Sequence, residues 1–103
     1  MDTQTTLNAP LTLTSLTTRS IGLVSFIRLK GYLPNAGWNV TGEAALTTSG
    51  VLVSLRTRQR PGEFPDVAQP LMLEYALGQL RPGERPYRVT CDGAQLAEGR
   101  LMF

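Results

Sequence analysis

The chain contains no histidine and a single cysteine, Cys91. Without imidazole, Ser-His-Asp and Cys-His catalysis in their usual forms are excluded, together with most zinc and copper sites. One cysteine admits no disulfide within the chain, so the fold rests on packing alone. Cys91 stands in an apolar alternation, which marks a buried, inert thiol rather than a nucleophile. Lysine is nearly missing as well: of ten basic residues only Lys30 is not arginine, and the net charge is +2. So small an excess disfavours a nucleic-acid partner, which calls for a larger and clustered positive charge. Long apolar runs are absent too. The longest, residues 21–29, is interrupted by Arg28 and falls far short of the ~20 residues of a membrane helix, so no membrane span is expected. Residues 1–6 carry neither the basic nor the apolar region of a signal peptide, and the compartment stays open.

Motifs that would carry chemistry are equally scarce. No phosphate loop, nucleotide fingerprint or calcium loop occurs. Glu63 and Asp66 lie close in sequence, but no further polar group accompanies them, so they read as a solvated loop rather than a glycosidase pair. The expectation is a non-enzymatic chain with no catalytic residue, no cofactor and no metal.

What the sequence does contain is alternation. At 103 residues and 42% apolar content, the chain fits one globular domain. Residues 1–8 are polar and Thr-rich, expected as a flexible N-terminal segment, and residues 9–103 as a single β-sandwich domain. Period-two patterns predict strands over 9–18, 21–30, 38–46, 51–58, 70–77, 87–91 and 95–103. A one-residue slip between Leu13 and Leu16 marks a bulge. Residues 47–50 and the Asp92-Gly93 pair read as hairpin turns. No segment sustains helical spacing. The fold class is therefore all-β, an antiparallel sandwich of about seven strands, with a small Greek-key barrel as the alternative.

The stretch from Leu73 through Leu80, Pro82 and Gly83 to Tyr87 and Val89 resembles the corner of fibronectin type III and bacterial immunoglobulin-like sandwiches. There a strand ends at a leucine, a Pro-Gly turn crosses between sheets, and a tyrosine opens the next strand. Tyr87 stands one residue later than the common spacing, behind Pro86. The resemblance covers about residues 71–93. It implies an immunoglobulin-like fold and transfers no functional residue, because such sandwiches host many unrelated tasks.

Two surface features point to recognition. Arg56, Arg58 and Arg60 are spaced by two, which predicts a row of guanidinium groups on one strand face; the plainer reading is a solvated face that discourages aggregation. The 59–69 segment is long for a connection and is stiffened by Pro61 and Pro65. It carries Phe64 as a candidate aromatic anchor, flanked by Glu63 and Asp66; alternatively Phe64 folds back over the core edge. Together Arg56, Arg58, Arg60, Glu63, Phe64 and Asp66 form the expected partner-binding set of a protein-interaction module. A protein inhibitor of an enzyme such as a protease would use the same loop. A structural subunit of a homo-oligomer or larger assembly would use the second apolar face of residues 21–30 or the edge of the last strand. Trp38 reads as core, and Asn39-Val40-Thr41, although a glycosylation acceptor pattern, falls within a strand.

Overall fold

The computed structural model describes residues 10–103, and the expected flexible segment 1–8 lies outside them. Among the described residues there are seven strands and no helix. They are β1 (Thr12–Ile21), β2 (Val24–Leu33), β3 (Trp38–Thr47), β4 (Gly50–Gln59), β5 (Gln69–Gly78), β6 (Glu84–Cys91) and β7 (Ala94–Met102). β1, β2 and β5 form one sheet in the order β1-β2-β5; the other runs β3-β4-β6-β7. The all-β sandwich is thus present with the expected number of strands. No helix among the described residues is long and apolar enough to cross a membrane.

Period two decides which side chains enter the space between the sheets. Ser25, Ile27 and Leu29 of β2 point inward, as do Val51, Val53 and Leu55 of β4 and Val89 and Cys91 of β6, all buried. Trp38, Val40, Leu71, Leu73, Tyr75 and Tyr87 pack around them. Fully burying an aliphatic side chain of this size contributes about 1.5–3 kcal/mol, so these few positions dominate the stability. Cys91 belongs to this core as the alternation implies, and burial, followed by the neighbouring Asp92 charge, pushes its thiol up to about 11.

Four ladders are antiparallel and one is not. β4 and β6 pair in parallel from Val51↔Tyr87 to Leu55↔Cys91. β5 lies in the opposite sheet between them in sequence, so the chain leaves one sheet, adds a strand to the other, and returns alongside β4 in the same direction. The ladder ends where β6 turns, at Asp92-Gly93. Both residues adopt positive φ (52° and 85°), as a two-residue hairpin turn requires. Beyond Leu55, β4 would have bare backbone. Instead Asp92 N–H donates to the Leu55 carbonyl at 2.9 Å, and Thr57 N–H donates to the Asp92 carboxylate at 2.9 Å while its hydroxyl donates to the second oxygen. A side chain continues the ladder by one rung.

One strand boundary departs from the pattern. Residues 21–30 are not a single strand: β1 runs on to Ile21, Gly22 turns at φ 59°, and β2 starts at Val24. The apolar residues continue through the turn, so the alternation hides it, and Ile21 and Leu23 end exposed at the tip (54% and 75%). The bulge expected near Leu13 is present, between Leu13 and Ser15. On the outer side of β2, Phe26 lies under the Arg19 guanidinium, and Glu74 of β5 bridges Arg19 at 2.7 Å and Arg28 at 3.0 Å. The second face of this strand, Val24, Phe26 and Arg28, is half-buried.

Candidate functional site

The β3–β4 hairpin keeps one register without a shift, from Thr47↔Gly50 at the turn to Trp38↔Gln59. Alternation then sets its outer face. Arg56 and Arg58 project outward and are exposed, and the pairing puts Thr41 opposite Arg56 and Asn39 opposite Arg58. These residues border an open concavity of about 460 Å³, lined by Asn39, Thr41, Arg56, Thr57 and Arg58. It presents two guanidinium forks with five N–H donors each, the Asn39 amide and the Thr41 hydroxyl, while the Thr57 hydroxyl is bound to Asp92.

Neither arginine makes an ion pair among the described residues; the nearby Asp92 carboxylate is taken up by the N–H and hydroxyl of Thr57. Among the described residues the ion pairs are Arg19–Glu74, Arg28–Glu74 and Arg100–Glu84, all elsewhere. Glu43 shares the outer face of β3 but pairs with Ser54, one step beyond the Thr41–Arg56 rung. A second concavity of about 430 Å³ lies farther along the same sheet, with Leu52, Pro86, Arg88, Glu98 and Arg100 in its lining. There Arg88 stands opposite Glu98 in the ladder and Arg100 is bound by Glu84 at 2.6 Å. Its lining thus holds a carboxylate, Glu98, and an arginine already held in an ion pair, whereas the lining of the Arg56–Arg58 concavity holds no carboxylate.

Arg60 does not extend the row as a third free cation. Its backbone continues the hairpin, donating from N–H to the Gly37 carbonyl at 2.7 Å, but its guanidinium lies over the Phe64 ring, 5.1 Å from the centroid. Phe64 is half-buried and turned inward against Gly37. A Cβ at position 37 would come within 2.5 Å of the Phe64 ring, so glycine there makes room for the aromatic. Asn35 supports the same corner by accepting from Gly37 N–H at 2.7 Å. Phe64 therefore staples the 59–69 segment onto the β2–β3 connection. Glu63 and Asp66 are exposed on that segment, which leaves Pro61, Glu63, Pro65, Asp66 and Val67 as its outer surface.

The six expected residues thus fall into two groups. Arg56 and Arg58 share the concavity; Arg60, Glu63, Phe64 and Asp66 form the adjoining loop at the same end of the hairpin. Sequence reasoning missed Asn39 and Thr41 as neighbours of the arginines. The signal was available: closing a hairpin at residues 48–49 fixes the sum of paired positions, which sets 39 against 58 and 41 against 56. Among the described residues no three metal-ligating side chains gather in one place. No protein-family model matches the chain, and no curated protein or solved structure matches it either.

Proposed function

We propose that the chain is a non-enzymatic protein-interaction module that binds an acidic segment of a protein partner on the Arg56–Arg58 face, beside the 59–69 loop. The observation that carries this reading is the contrast in charge pairing. Arg19, Arg28 and Arg100 are each held by a glutamate within the fold. Arg56 and Arg58 stand together, exposed and free of any such partner among the described residues, around a concavity with neutral donors on its other wall. Planar guanidinium groups bind carboxylates bidentately and lose little side-chain order in doing so. The exposed Glu63 and Asp66 at the loop end repel an acidic guest there, and so orient it along the hairpin.

The division into β1-β2-β5 and β3-β4-β6-β7, with the Leu80–Tyr87 crossing, supports reading the sandwich as immunoglobulin-like or fibronectin-like. The parallel β4–β6 ladder sets it apart from the two antiparallel sheets of that architecture.

The test is equilibrium binding of a fluorescein-labelled glutamate-rich peptide at low salt. The double variant Arg56→Ala/Arg58→Ala is compared with Arg81→Ala/Arg88→Ala, which removes the same charge elsewhere. The first pair should weaken binding by about tenfold or more, the equivalent of ~1.4 kcal/mol, and the second by far less. Equal loss in both variants would show that net charge alone attracts the peptide and would end the site assignment. Stronger binding of single-stranded DNA than of the peptide would replace the protein partner with a nucleic acid.

A further inference from the structure

We infer that the acidic partner segment binds as an added β-strand along the free edge of β3, so that the β3-β4-β6-β7 sheet gains a fifth strand supplied in trans. The inference rests on the acidic-partner reading above and names how that partner is held.

β3 is an edge strand, and the direction of its backbone groups follows from the hydrogen bonds of β4. The Leu55 carbonyl and the Thr57 N–H face Asp92 on the β6 side. Successive residues of a strand aim their backbone groups to opposite sides. Ser54, Arg56 and Arg58 therefore turn theirs to β3, bonding Glu43, Thr41 and Asn39. On β3 the same alternation sends the N–H and C=O of Val40, Gly42 and Ala44 outward, to the open edge. None of these groups takes part in a backbone bond to another element among the described residues.

β5 approaches β3 across the seam, with the Tyr75 hydroxyl beside Gly42, but the other three edges carry blocking features that β3 lacks. β1 carries a bulge at Leu13/Ser15, and its Thr18 hydroxyl closes onto the Met102 carbonyl of β7 at 2.8 Å. β7 carries Glu98 and Arg100, and β5 opens with Pro70 and carries Glu74. Charges, prolines and bulges are the usual means of blocking edge pairing. β3 is ten residues long, with no proline, one charge and an unshifted register.

Charge complementarity selects the occupant. A guest strand alternates its side chains, one set over the seam between β3 and β5 and the other on the outer face beside Asn39 and Thr41. Both of those are short, so the arms of Arg56 and Arg58 reach across them to the guest. The two arginines are two residues apart, about 7 Å, which is also the spacing of alternate carboxylates on an extended chain. A second copy of this chain pairing β3 to β3 would offer only Glu43 on that face. The structure therefore favours a segment that alternates apolar and acidic residues, held in the strand-addition mode of peptide recognition.

The probe is a capped nine-residue peptide alternating valine and glutamate. Three proteins are compared: the native chain, Arg56→Ala/Arg58→Ala, and Ala44→Pro. Ala44→Pro removes an N–H that faces the open edge and breaks no bond to β4. Both variants should bind at least about tenfold more weakly, the equivalent of ~1.4 kcal/mol. In the native chain the peptide should slow amide exchange at Val40, Gly42 and Ala44, a readout that stands even if Ala44→Pro does not fold. If the arginine variant loses binding while Ala44→Pro and the edge amides are unaffected, the peptide lies on the face: strand addition is overturned and the acidic-partner reading survives. If no variant changes binding, both fall. If the native chain doubles its mass in solution and Ala44→Pro restores the monomer, the edge belongs to a second copy, and the inference is wrong.

Discussion

Asp92 occupies the one non-glycine position with positive φ among the described residues and also ties β6 to β4 beyond the end of their ladder. Its hydrogen bonds from the Thr57 hydroxyl and N–H hold the carboxyl below the ordinary aspartate value of 3.8. A carboxyl with a depressed folded-state pKa binds its proton more readily in the unfolded chain. Its contribution is therefore fully present above about pH 4 and fades as pH falls through the lower folded value. Asp92→Asn keeps a residue that tolerates the left-handed turn and removes the charge together with one of the two acceptor oxygens that Thr57 uses. Thermal unfolding should show the variant less stable than the native chain at pH 7, with the gap narrowing as pH falls below about 4; a gap that stays constant with pH would mean the carboxylate is not the clamp. The turn itself was legible, because Asp-Gly between two alternating runs has few other uses. The clamp was not, since Thr57 lies 35 residues away and only the parallel return of β6 brings the two together.

At the scale of elements, alternation identifies every strand, and turns are visible where glycine, proline or aspartate interrupts it. The exception is the β1–β2 turn. Ile21 and Leu23 flank Gly22 there, so apolar spacing runs unbroken through a reversal of the chain. The 59–69 segment shows the reverse case: its length and prolines were plain, but whether Phe64 faces outward depends on Gly37, a residue in another connection. Phe64 proves to be a fastener with Gly37 beneath it and Arg60 above. Phe64→Ala should lower stability by about 1–2 kcal/mol, less than the ~3–5 kcal/mol of a fully buried phenylalanine, and should speed amide exchange at Arg60, whose N–H holds the Gly37 carbonyl. An unchanged melting temperature with unchanged exchange would mean that the ring contributes nothing to holding the loop.

Across the whole molecule, the sequence implied two sheets but not which strands share them. The count of seven follows from local pattern. The parallel pairing of β4 with β6, across a strand donated to the other sheet, depends on contacts far apart in sequence that no local signal encodes. The same limit applies to the site. Arg56 and Arg58 declared themselves by spacing, while their lack of an ion pair among the described residues became visible only when Glu74 was found on Arg19 and Arg28, and Glu84 on Arg100. The functional claim thus rests on the distribution of charge over the finished fold: three arginines are spent on internal ion pairs, and two face outward together beside an undefended strand edge. Mapping backbone amide shifts in solution while titrating an acidic peptide tests this most directly. The account predicts that perturbations concentrate on Asn39, Thr41, Arg56 and Arg58 and their β3 neighbours, and leave the opposite sheet unmoved. Perturbations centred instead on Arg81, Arg88 or the exposed Ile21–Leu23 tip would contradict it.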